Sequence, residues 1–298
     1  MAIYFSKMQK DEAAAQQRLI ADLHIHSTAS DGEYSPAQIA KILWQRGIRV
    51  AALADHDSIA GLKEFRRNFP GIMVPGVELS VNYQGSGYHL LAYGFDPENA
   101  GLKERLRHFQ KTRFERILRI CERLETLGCP VRLPVELLNF KAANTLGRPH
   151  VARALMAAGH VKDFNEAFSR YIGDGKPAYI SKARMEFDEA RELIRQAGGI
   201  SILAHPGLYQ PGISFAKLTG IPVNGFEVYH PNHSATYTRV LREFCLRNGM
   251  PYSGGSDFHD LRKNKANLLG CYGLMEHEWN NLRTYMEAHC AYALSEGV

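Results

Sequence analysis

The sequence lacks any run of about 20 consecutive apolar residues, the length that an α-helix needs to cross a bilayer. Its first 18 residues contain no apolar stretch of the kind that a secretory signal requires, so we expect no export signal there. Cysteine is scarce, with five residues and no CxxC pair. This pattern argues against a disulfide framework and a thiolate metal site, and it predicts a protein of the reducing cytoplasm.

Most of the chain also lacks an excess of charge of one sign. The net charge is +5, from 36 Lys and Arg against 31 Asp and Glu. Residues 101–180 hold 15 basic and 8 acidic residues (+7), so the remainder holds 21 and 23 (−2). A basic segment on a nearly neutral body predicts an anionic partner such as phosphate or nucleic acid. The alternative is a solvated helix face with pairs four residues apart, such as Glu115 and Arg119.

The 298 residues, of which 45% are hydrophobic, are enough to bury a large core. Short apolar segments alternate with amphipathic helical patterns, which predicts mainly parallel strand pairing and an α/β barrel or doubly wound sheet. Ser35 and Pro36 are typical of a helix start. The predicted strands are 20–26, 49–54, 72–77, 81–83, 88–95, 200–205, 226–229 and 252–253. The predicted helices among them are 35–45, 58–68 and 234–248.

Residues 99–180 interrupt this alternation. A long helical pattern over 102–127 is followed by two shorter ones at 149–158 and 164–171, with no convincing strand among them. The segment therefore reads as a helical insertion that carries the excess positive charge. We predict a barrel made of two parts, 19–98 and 181–290. The basic helical insertion between them is 99–180, and a polar tail is 1–18.

Polar side chains stand at the end of nearly every predicted strand. In the motif DLHIH, His24 and His26 lie two residues apart and so point to the same face of a strand. Parallel α/β sheets and barrels build their active sites at this end. Each residue alone has a structural explanation, but together they predict a metal centre. The other candidates near strand ends are Asp22, Asp31, Asp55, His56, Asp57, Glu78, His89, His205, His230, His233, Asp257 and His259.

The candidate ligands are imidazoles and carboxylates without thiolates, which suits Mn, Fe or Zn. They outnumber what one or two ions need. We therefore expect two to three divalent ions, with manganese as the first choice and iron or zinc as alternatives. A bridging carboxylate and a bridging hydroxide would hold such ions about 3.5–4 Å apart, as in two-metal hydrolases. Such a centre activates water and stabilises charge on a phosphoryl group.

These motifs resemble those of a known family. DLHIHS with SDG, LADHD, PGVE, YHLLAYG, AHPG and GSDFH, in this order and spacing, are similar to the motifs of the PHP (polymerase and histidinol phosphatase) family. The resemblance implies an α/β fold, a distorted seven-stranded (β/α) barrel that often holds a trinuclear centre. GRPHVARAL, YIGDGKPAYI and TRFERILRICERL resemble the bacterial branch that removes the 3′-phosphate from 3′,5′-bisphosphonucleotides and trims short 5′-phosphorylated RNAs from the 5′ end.

The resemblance also implies roles for individual residues. The implied ligands of the first, second and third ions are His24, His26, Glu78 and Asp257; Glu78, His89 and His205; and Asp31, His56 and His259. Asp22, Asp55 and Asp57 remain as partners that orient imidazoles, and Asp57 is also expected to contact the attacking water. Every ligand position is filled, which favours an active centre.

A substrate phosphate needs fixed positive donors, and arginine is a planar, two-pronged one. Arg148 is the leading candidate, because an ordinary surface arginine at a predicted helix start would oppose the helix dipole. His230 and His233 are candidates for contact with the base or for protonation of the leaving oxygen. The other candidate substrate contacts, each with an ordinary structural role as the alternative, are Arg113, Arg116, His150, Lys176 and, for stacking on a base, Tyr179 or Tyr229.

Three functions stay open on the sequence. The first is a metal-dependent phosphoesterase that converts 3′,5′-bisphosphonucleotides to nucleoside 5′-monophosphates such as AMP, or trims short 5′-phosphorylated RNA. The second is a phosphatase for a small phosphomonoester such as histidinol phosphate, which would not need the basic insertion. The third is a non-catalytic, metal-bound nucleotide-binding module. Residues 229–233 and 260–269 depart from the family pattern near the rim, so the leaving group stays open. We expect neither duplex DNA nor a membrane as a partner.

Overall fold

The structure is a computed structural model of the chain, and it describes residues 19–135, 146–209, 212–259 and 268–292. The predicted N-terminal tail and most of the stretch 260–269 lie outside these residues. None of the helices in the described ranges combines the length and the apolar character that a membrane span requires.

Ten strands in the described part of the chain form two sheets. The first sheet has the order β10-β1-β2-β3 and the second β6-β4-β5-β7-β8-β9. The strands β1 to β10 are, in chain order, Leu19–Ile25, Val50–Leu53, Ile72–Met73, Gly76–Tyr83, Ser86–Tyr93, Met185–Glu186, Ile200–Leu203, Gly225–Tyr229, Tyr252–Gly254 and Leu274–Met275. Pairing is parallel in β1-β2-β3, β4-β6 and β7-β8-β9, whereas β10 and β5 pair antiparallel with their neighbours.

Two seams of backbone pairing join these sheets. At the first seam, His26 N donates to Phe258 O (2.9 Å), which places the end of β1 beside the segment after β9. At the second seam, Asp57 N donates to Glu78 O (2.9 Å), which places the segment after β2 beside β4. Seven strands therefore follow one another in cyclic order, namely β1, β2, β4, β5, β7, β8 and β9. The expected mixed α/β fold is confirmed.

The α-helices of the described residues either pack against the sheets or form the helical segment between β5 and β6. Helices α1 to α9 are Pro36–Gln45, Leu62–Asn68, Ala100–Thr126, Arg148–Ala157, Phe164–Ala167, Phe187–Gln196, Phe215–Thr219, Ala235–Arg247 and Glu276–His289. Helix α1 begins as its sequence predicts: Ser35 accepts from Gln38 N, and the Gln38 side chain accepts from Ser35 N at 2.8 Å. This reciprocal pairing satisfies two backbone donors at the helix start.

The region 58–95 differs in detail from its prediction. The helix expected over 58–68 begins only at Leu62, and the strand expected over 72–77 is two strands, because Pro75 lies between β3 and β4 and cannot donate a ladder hydrogen bond. Glu78 therefore lies within β4 and not at a strand end. Strands β4 and β5 form the predicted hairpin, whose turn residues Gln84 and Gly85 have φ of 50° and 78°, as a tight hairpin turn requires.

Two separate sets of buried apolar side chains support the fold. The larger set lies between the sheets and their flanking helices. The smaller set includes Val151 and Leu155 of α4 and Ile172. Helix α3 belongs to both, with Leu106 in the first and Ile120 in the second. The long helix thus connects the strands to the helical segment that follows it.

Candidate metal centre and phosphate site

His24 and His26 begin the site at the end of β1. Because they lie two residues apart, their side chains share a face, and their Nε2 atoms are 3.1 Å apart. Asp257 N donates to His24 O (2.8 Å), and Asp257 Oδ1 lies 3.2 Å from His26 Nε2. Gly255 permits this close approach, because a Cβ there would lie 2.4 Å from the Cβ of His24. All three polar groups are therefore fixed by backbone pairing.

Glu78 lies at the centre of the cluster. Its side chain is 1% exposed, and both carboxylate oxygens face imidazole nitrogens. The oxygen–nitrogen distances are 2.8 Å to His89 Nδ1, 2.9 Å to His56 Nδ1, 3.0 Å to His205 Nε2, 3.3 Å to His26 Nε2 and 3.4 Å to His24 Nε2. The carboxylate thus connects residues from both sheets.

Asp31 and His259 extend the cluster on the other side of His26. Asp31 Oδ1 lies 3.5 Å from His259 Nε2 and 4.0 Å from His26 Nδ1. The rings of His26 and His259 stack with their centroids 4.0 Å apart. All nine residues that the family resemblance implies as ligands therefore lie in one cluster.

The donor atoms of this cluster fit divalent cations. Imidazole nitrogens face one another at 3.1 Å (His24 and His26) and 3.3 Å (His89 and His205), so each pair needs a proton or a cation between its lone pairs. His26 Nδ1 is buried without a hydrogen-bond partner in the described residues. Three groups have their candidate ligand atoms within 4.8 Å of one another: His26, Asp31, His56 and His259; His24, His26 and Glu78; His56, Glu78 and His89. The last group differs from the ligand set that the family resemblance implies. It places His56 with Glu78 and His89, whereas the resemblance places His56 with Asp31 and His259.

Protonation and cation binding compete in this cluster. Burial opposes the charged form of His24, but Glu227, Glu78 and Asp257 outweigh it and raise its pKa well above the ordinary value. Burial lowers the pKa of His89 to about 3 although Glu78 lies beside it. Since a metal ligand must be deprotonated, His24 has to lose a proton when an ion binds.

The backbone is strained at the cluster. Four described non-glycine residues have positive φ, and three of them belong to the site: Asp57 (50°), His205 (31°) and Asp257 (47°). Each such conformation costs on the order of 1–3 kcal/mol and persists only where its surroundings impose it. The strain sets the direction of side chains that leave three different strand ends.

Glu227 is a buried carboxylate that the sequence analysis missed. Its side chain is fully buried in β8, His24 Nδ1 lies 2.9 Å from Oε1, and His205 N donates to Oε2 at 2.7 Å. Burial would raise the pKa of Glu227, but the imidazoles of His24 and His230 hold it below its ordinary value. The ionised carboxylate keeps the proton of His24 on Nδ1 and leaves Nε2 as a ligand. The signal was a single charged residue within the apolar strand FEVY.

Two aspartates do not have their predicted role. Asp22 accepts from the backbone N–H groups of Ser256 (2.9 Å) and Gly270 (2.8 Å). Asp55 accepts from Ser27 N (2.7 Å) and from the Ser27 hydroxyl. The prediction that these carboxylates orient imidazoles is wrong, because their oxygens accept hydrogen bonds from N–H and hydroxyl groups of nearby loops. They fix the loops that carry the cluster.

Asp57 connects the cluster to the helical segment. Its carboxylate accepts from Ser80 N (3.0 Å) and pairs with the Arg113 guanidinium of α3. Burial opposes ionisation of Asp57, but Arg113 and Lys182 hold its pKa below the ordinary value. Asp57 is therefore not among the residues that orient an imidazole. Lys182, which the sequence analysis also missed, has no hydrogen bond or ion pair assigned within the described residues.

Arg113, Arg116 and Arg148 lie close to one another, and Arg113 pairs with Asp57. Arg113 and Arg116 are each 5% exposed, which contradicts the alternative of solvated side chains on a helix surface. Arg116 Nε donates to Ile180 O (2.7 Å), and burial together with Arg148 and Arg113 lowers the pKa of Arg116 to about 10. Arg148 lies 5.4 Å from the ring centre of Tyr179. It also donates to Asp174 Oδ1 (2.5 Å), so it has an acidic partner.

The remaining predicted substrate contacts lie at different depths. His150 is 8% exposed, and Gly147 N donates to its Nδ1 (3.1 Å), while burial lowers its pKa against the influence of Asp31. Lys176 is exposed in a turn, and among the described residues only its backbone is assigned hydrogen bonds. The structure thus brings His150 close to the cluster but does not place Lys176 in contact with it.

His230 and His233 are held by the protein itself. His230 Nδ1 accepts from Asn232 N (3.1 Å), and its Nε2 donates to Asp257 Oδ2 (3.2 Å). His233 Nε2 accepts from Gly207 N (3.1 Å), and its Nδ1 donates to Val228 O (2.9 Å). In this arrangement the ring proton of His233 is engaged by Val228 O and burial lowers the pKa of His233, so its role as a proton donor to the leaving group stays a prediction.

Comparison with known proteins gives three curated relatives of similar length. The chain is 32% identical over 246 residues to a 5′-3′ exoribonuclease of Haemophilus influenzae, covering 80% of this chain and 89% of the relative. It is 32% identical over 251 residues to a 3′,5′-nucleoside bisphosphate phosphatase of Chromobacterium violaceum, covering 80% and 86%. It is 28% identical over 254 residues to the 5′-3′ exoribonuclease Rnm of Escherichia coli, covering 81% and 85%. No family model matches the chain.

Two solved structures have a similar fold. One, from Bifidobacterium adolescentis, is named as a metal-dependent phosphoesterase; the TM-score is 0.72 at 26% identity, over 80% of this chain and 87% of the other. The second is named as an amidohydrolase from Chromobacterium violaceum with bound sulfate and no metal; the TM-score is 0.70 at 29% identity, over 80% and 87%. The chain therefore shares its fold with both structures.

Proposed function

Because the chain belongs to the PHP family of metal-dependent phosphoesterases, we propose that it removes the 3′-phosphate from 3′,5′-bisphosphonucleotides and trims short 5′-phosphorylated oligoribonucleotides from the 5′ end. The relatives named as a 3′,5′-nucleoside bisphosphate phosphatase and as 5′-3′ exoribonucleases support this choice. The chain is a metal-dependent phosphoric ester hydrolase, and the proposal concerns its substrate.

One observation carries the substrate assignment: the buried Arg113 lies next to the cluster of candidate ligands, and Arg116 and Arg148 lie close to Arg113. Arg113 pairs with Asp57, which follows the cluster residue His56 in the chain. Arg116 is buried close enough to Arg113 and Arg148 for the like charges to lower its pKa. Asp57 and Asp174 pair with Arg113 and Arg148, whereas Arg116 Nη2 is buried without a hydrogen-bond partner among the described residues, so its charge favours an added anion. A substrate with one phosphate at the cluster and a second phosphate among the arginines satisfies both sites.

The same arrangement accounts for both substrate types. In a 3′,5′-bisphosphonucleotide, the 3′-phosphate is attached where the first phosphodiester of a 5′-phosphorylated RNA is attached. If the arginines bind the 5′-phosphate, the ester on the 3′ side reaches the cluster in either molecule. Tyr179, next to Arg148, is our candidate for stacking on the base. We further propose that the insertion 99–180 forms the cap over this site.

In this proposal two to three divalent ions, manganese first with iron or zinc as alternatives, bind at the cluster. When bound, they would supply Lewis-acid charge to a phosphoryl oxygen and lower the pKa of water. The proposed ligands are His24, His26, Asp31, His56, Glu78, His89, His205, Asp257 and His259.

The chain's own residues hold the substrate and its protons. Asp57, kept ionised by Arg113, is our candidate for contact with the attacking water. His230 holds Asp257 in place through Nε2. We also propose that the protein acts in the cytoplasm, since all five cysteines are free thiols.

The test compares two substrates that differ only in the second phosphate, 3′,5′-bisphosphoadenosine and adenosine 3′-monophosphate. A charged hydrogen bond contributes roughly 1.5–3 kcal/mol, so Arg116→Ala should lower kcat/KM for the bisphosphate by about 10- to 150-fold. It should barely change kcat/KM for the monophosphate or the metal content. Arg148→Ala should act in the same direction, with a smaller effect because Asp174 already pairs with Arg148.

Arg119→Ala is the matched control, since Arg119 is exposed on the same helix. Equal losses on both substrates would assign Arg116 to the fold and not to the second phosphate. Faster hydrolysis of histidinol phosphate than of the bisphosphate would favour the small-phosphomonoester alternative. No turnover of any substrate by metal-loaded protein would leave the non-catalytic nucleotide-binding module.

A further inference from the structure

Helix α4 contacts both halves of the site. Arg148, its first residue, lies close to Arg113 and Arg116, and these three arginines form the proposed phosphate site. Arg153, five residues later, reaches the loop after β1: its Nη2 donates to the backbone oxygen of Asp31 (3.0 Å), and its Nε lies 3.4 Å from Glu33 Oε1. With a rise of about 1.5 Å per residue, the two arginine Cα atoms are separated by about 7.5 Å along the helix. One short element therefore touches the phosphate site and a candidate metal ligand.

The loop that Arg153 contacts carries Asp31, a member of one candidate ion-binding group. Glu33 N donates to His259 O (2.9 Å), and Asp31 Oδ1 faces His259 Nε2 (3.5 Å). Asp31 and His259 form, with His26 and His56, one of the three candidate ion-binding groups. Arg153 thus fixes the backbone on which Asp31 is carried, without itself providing a ligand.

Helix α4 is packed as one rigid element. Val151, Ala152 and Leu155 are fully buried in the smaller apolar set, so a displacement at Arg148 displaces Arg153 as well. Arg113 pairs with Asp57 and Arg148 with Asp174, but the positive charges of Arg113 and Arg148 still repel that of Arg116 across α3 and α4. An anion between them removes this repulsion and keeps α4 in the position in which Arg153 reaches Asp31 and Glu33.

We propose that Arg153 couples the phosphate site to the metal group of His26, Asp31, His56 and His259, so that a nucleotide phosphate held by the arginines tightens the binding of a divalent ion there. The identity of the anion rests on the proposed function, but the coupling does not depend on turnover. Coupling between two binding sites is reciprocal, so the ion must also tighten nucleotide binding by the same factor.

The experiment titrates metal-free protein with Mn²⁺ and follows free Mn²⁺ by electron paramagnetic resonance, with and without adenosine 5′-monophosphate. Couplings of this kind are typically about 5- to 150-fold in affinity. We expect a gain in this range for the weakest class of Mn²⁺ sites in the unaltered protein. Asp31→Ala identifies that class by removing it. Calorimetric titration of the nucleotide with and without Mn²⁺ measures the reciprocal effect.

Arg153→Ala should reduce this gain to less than about twofold on the same scale, while the nucleotide still binds metal-free protein. Arg153→Lys keeps the positive charge and the aliphatic stem but not the two-pronged contact, so it should fold normally and lose most of the gain. Arg170→Ala is the control, because Arg170 lies in the same helical segment and pairs with Glu166 on the surface.

The results separate the coupling from simple attraction between nucleotide and metal. An equal gain in Arg153→Ala, Arg153→Lys and the unaltered protein would overturn the proposal, since the nucleotide charge would then act without Arg153. A gain that persists in Asp31→Ala would also overturn it, because the affected ion would sit elsewhere. If the bisphosphate is not hydrolysed but the nucleotide gain depends on Arg153, the proposed function fails and the coupling stands.

Discussion

Single buried carboxylates decide how the imidazoles present their nitrogens, and Glu227 shows this most directly. It contacts His24 Nδ1 through one oxygen and accepts from His205 N through the other. In Glu227→Gln, the amide NH₂ must face one of these two donors. Loss of a residue that orients a metal ligand through a hydrogen bond typically lowers metal affinity about 10- to 100-fold. We expect a loss in this range, measured by titration of metal-free protein with Mn²⁺.

Glu278→Gln is the matched control for this prediction. Glu278 is equally buried, but it accepts from Tyr229 (2.5 Å), Tyr252 (3.1 Å) and Arg242 (3.1 Å) and touches no imidazole of the cluster. Its substitution should lower thermal stability and leave Mn²⁺ affinity nearly unchanged. Equal Mn²⁺ affinity in Glu227→Gln and in the unaltered protein would show that Glu227 supports only the fold.

Lys182 gives a pH dependence with a definite sign. Burial and Arg113 lower the pKa of Lys182 to about 7 in the folded protein, from an ordinary value of 10.5. Between these two values the unfolded chain binds more protons than the folded one, so stability rises with pH. Each pH unit in this window adds up to about 1.4 kcal/mol. Lys182→Met should therefore flatten the rise between pH 7 and the ordinary lysine pKa.

Urea unfolding of chelator-treated protein at several pH values measures this effect. The difference between the unaltered protein and Lys182→Met isolates Lys182 from other groups that titrate at alkaline pH. Lys41→Met, on the exposed face of α1, should give a curve parallel to that of the unaltered protein. Parallel curves for Lys182→Met as well would mean that the lysine is solvated in the folded state.

At the scale of elements, the sequence predicts those parts that local chemistry determines. Helix α1 was predictable because Ser35, Pro36 and Gln38 satisfy its first turn without help from elsewhere. The long α3 was predictable from its helical pattern, and its observed bounds, Ala100–Thr126, differ little from the predicted 102–127. The break at Pro75 was missed, because the apolar run 72–77 hides two strands that pair with different partners.

The same distinction applies to the candidate site. Residues at strand ends were predictable, since parallel strands bring their carboxyl ends to one edge. Partners that depend on tertiary contacts were not: Glu227 reaches His24 from a strand about 200 residues away, and Asp22 and Asp55 are captured by nearby loop N–H groups. The hydrogen bonds of His233 to Gly207 and Val228 likewise leave no trace in the local sequence.

At the scale of the whole molecule, the cluster spans both seams between the sheets. His24 belongs to the first sheet, and His26 and His56 follow its strands, whereas Glu78, His89 and His205 belong to the second sheet or follow it. Each seam has few backbone hydrogen bonds of its own, compared with the long hairpin ladder of β4 and β5. An ion that takes ligands from both sheets therefore closes the seams as well as the site.

Removal of metal should consequently loosen the seams before the rest of the molecule. A ligand that binds only the folded state at 100 times its Kd adds about 2.7 kcal/mol of stability. Chelation should lower Tm, and amide exchange should accelerate most at His26, Asp57 and Asp257, whose N–H groups form the seam bonds. The amides of Leu79 and Leu91, inside the hairpin ladder, should change least. Hydrogen exchange followed by mass spectrometry, with and without chelator, measures both sets. Equal acceleration at the hairpin and the seams would mean that the ions stabilise the fold globally and do not link the two sheets.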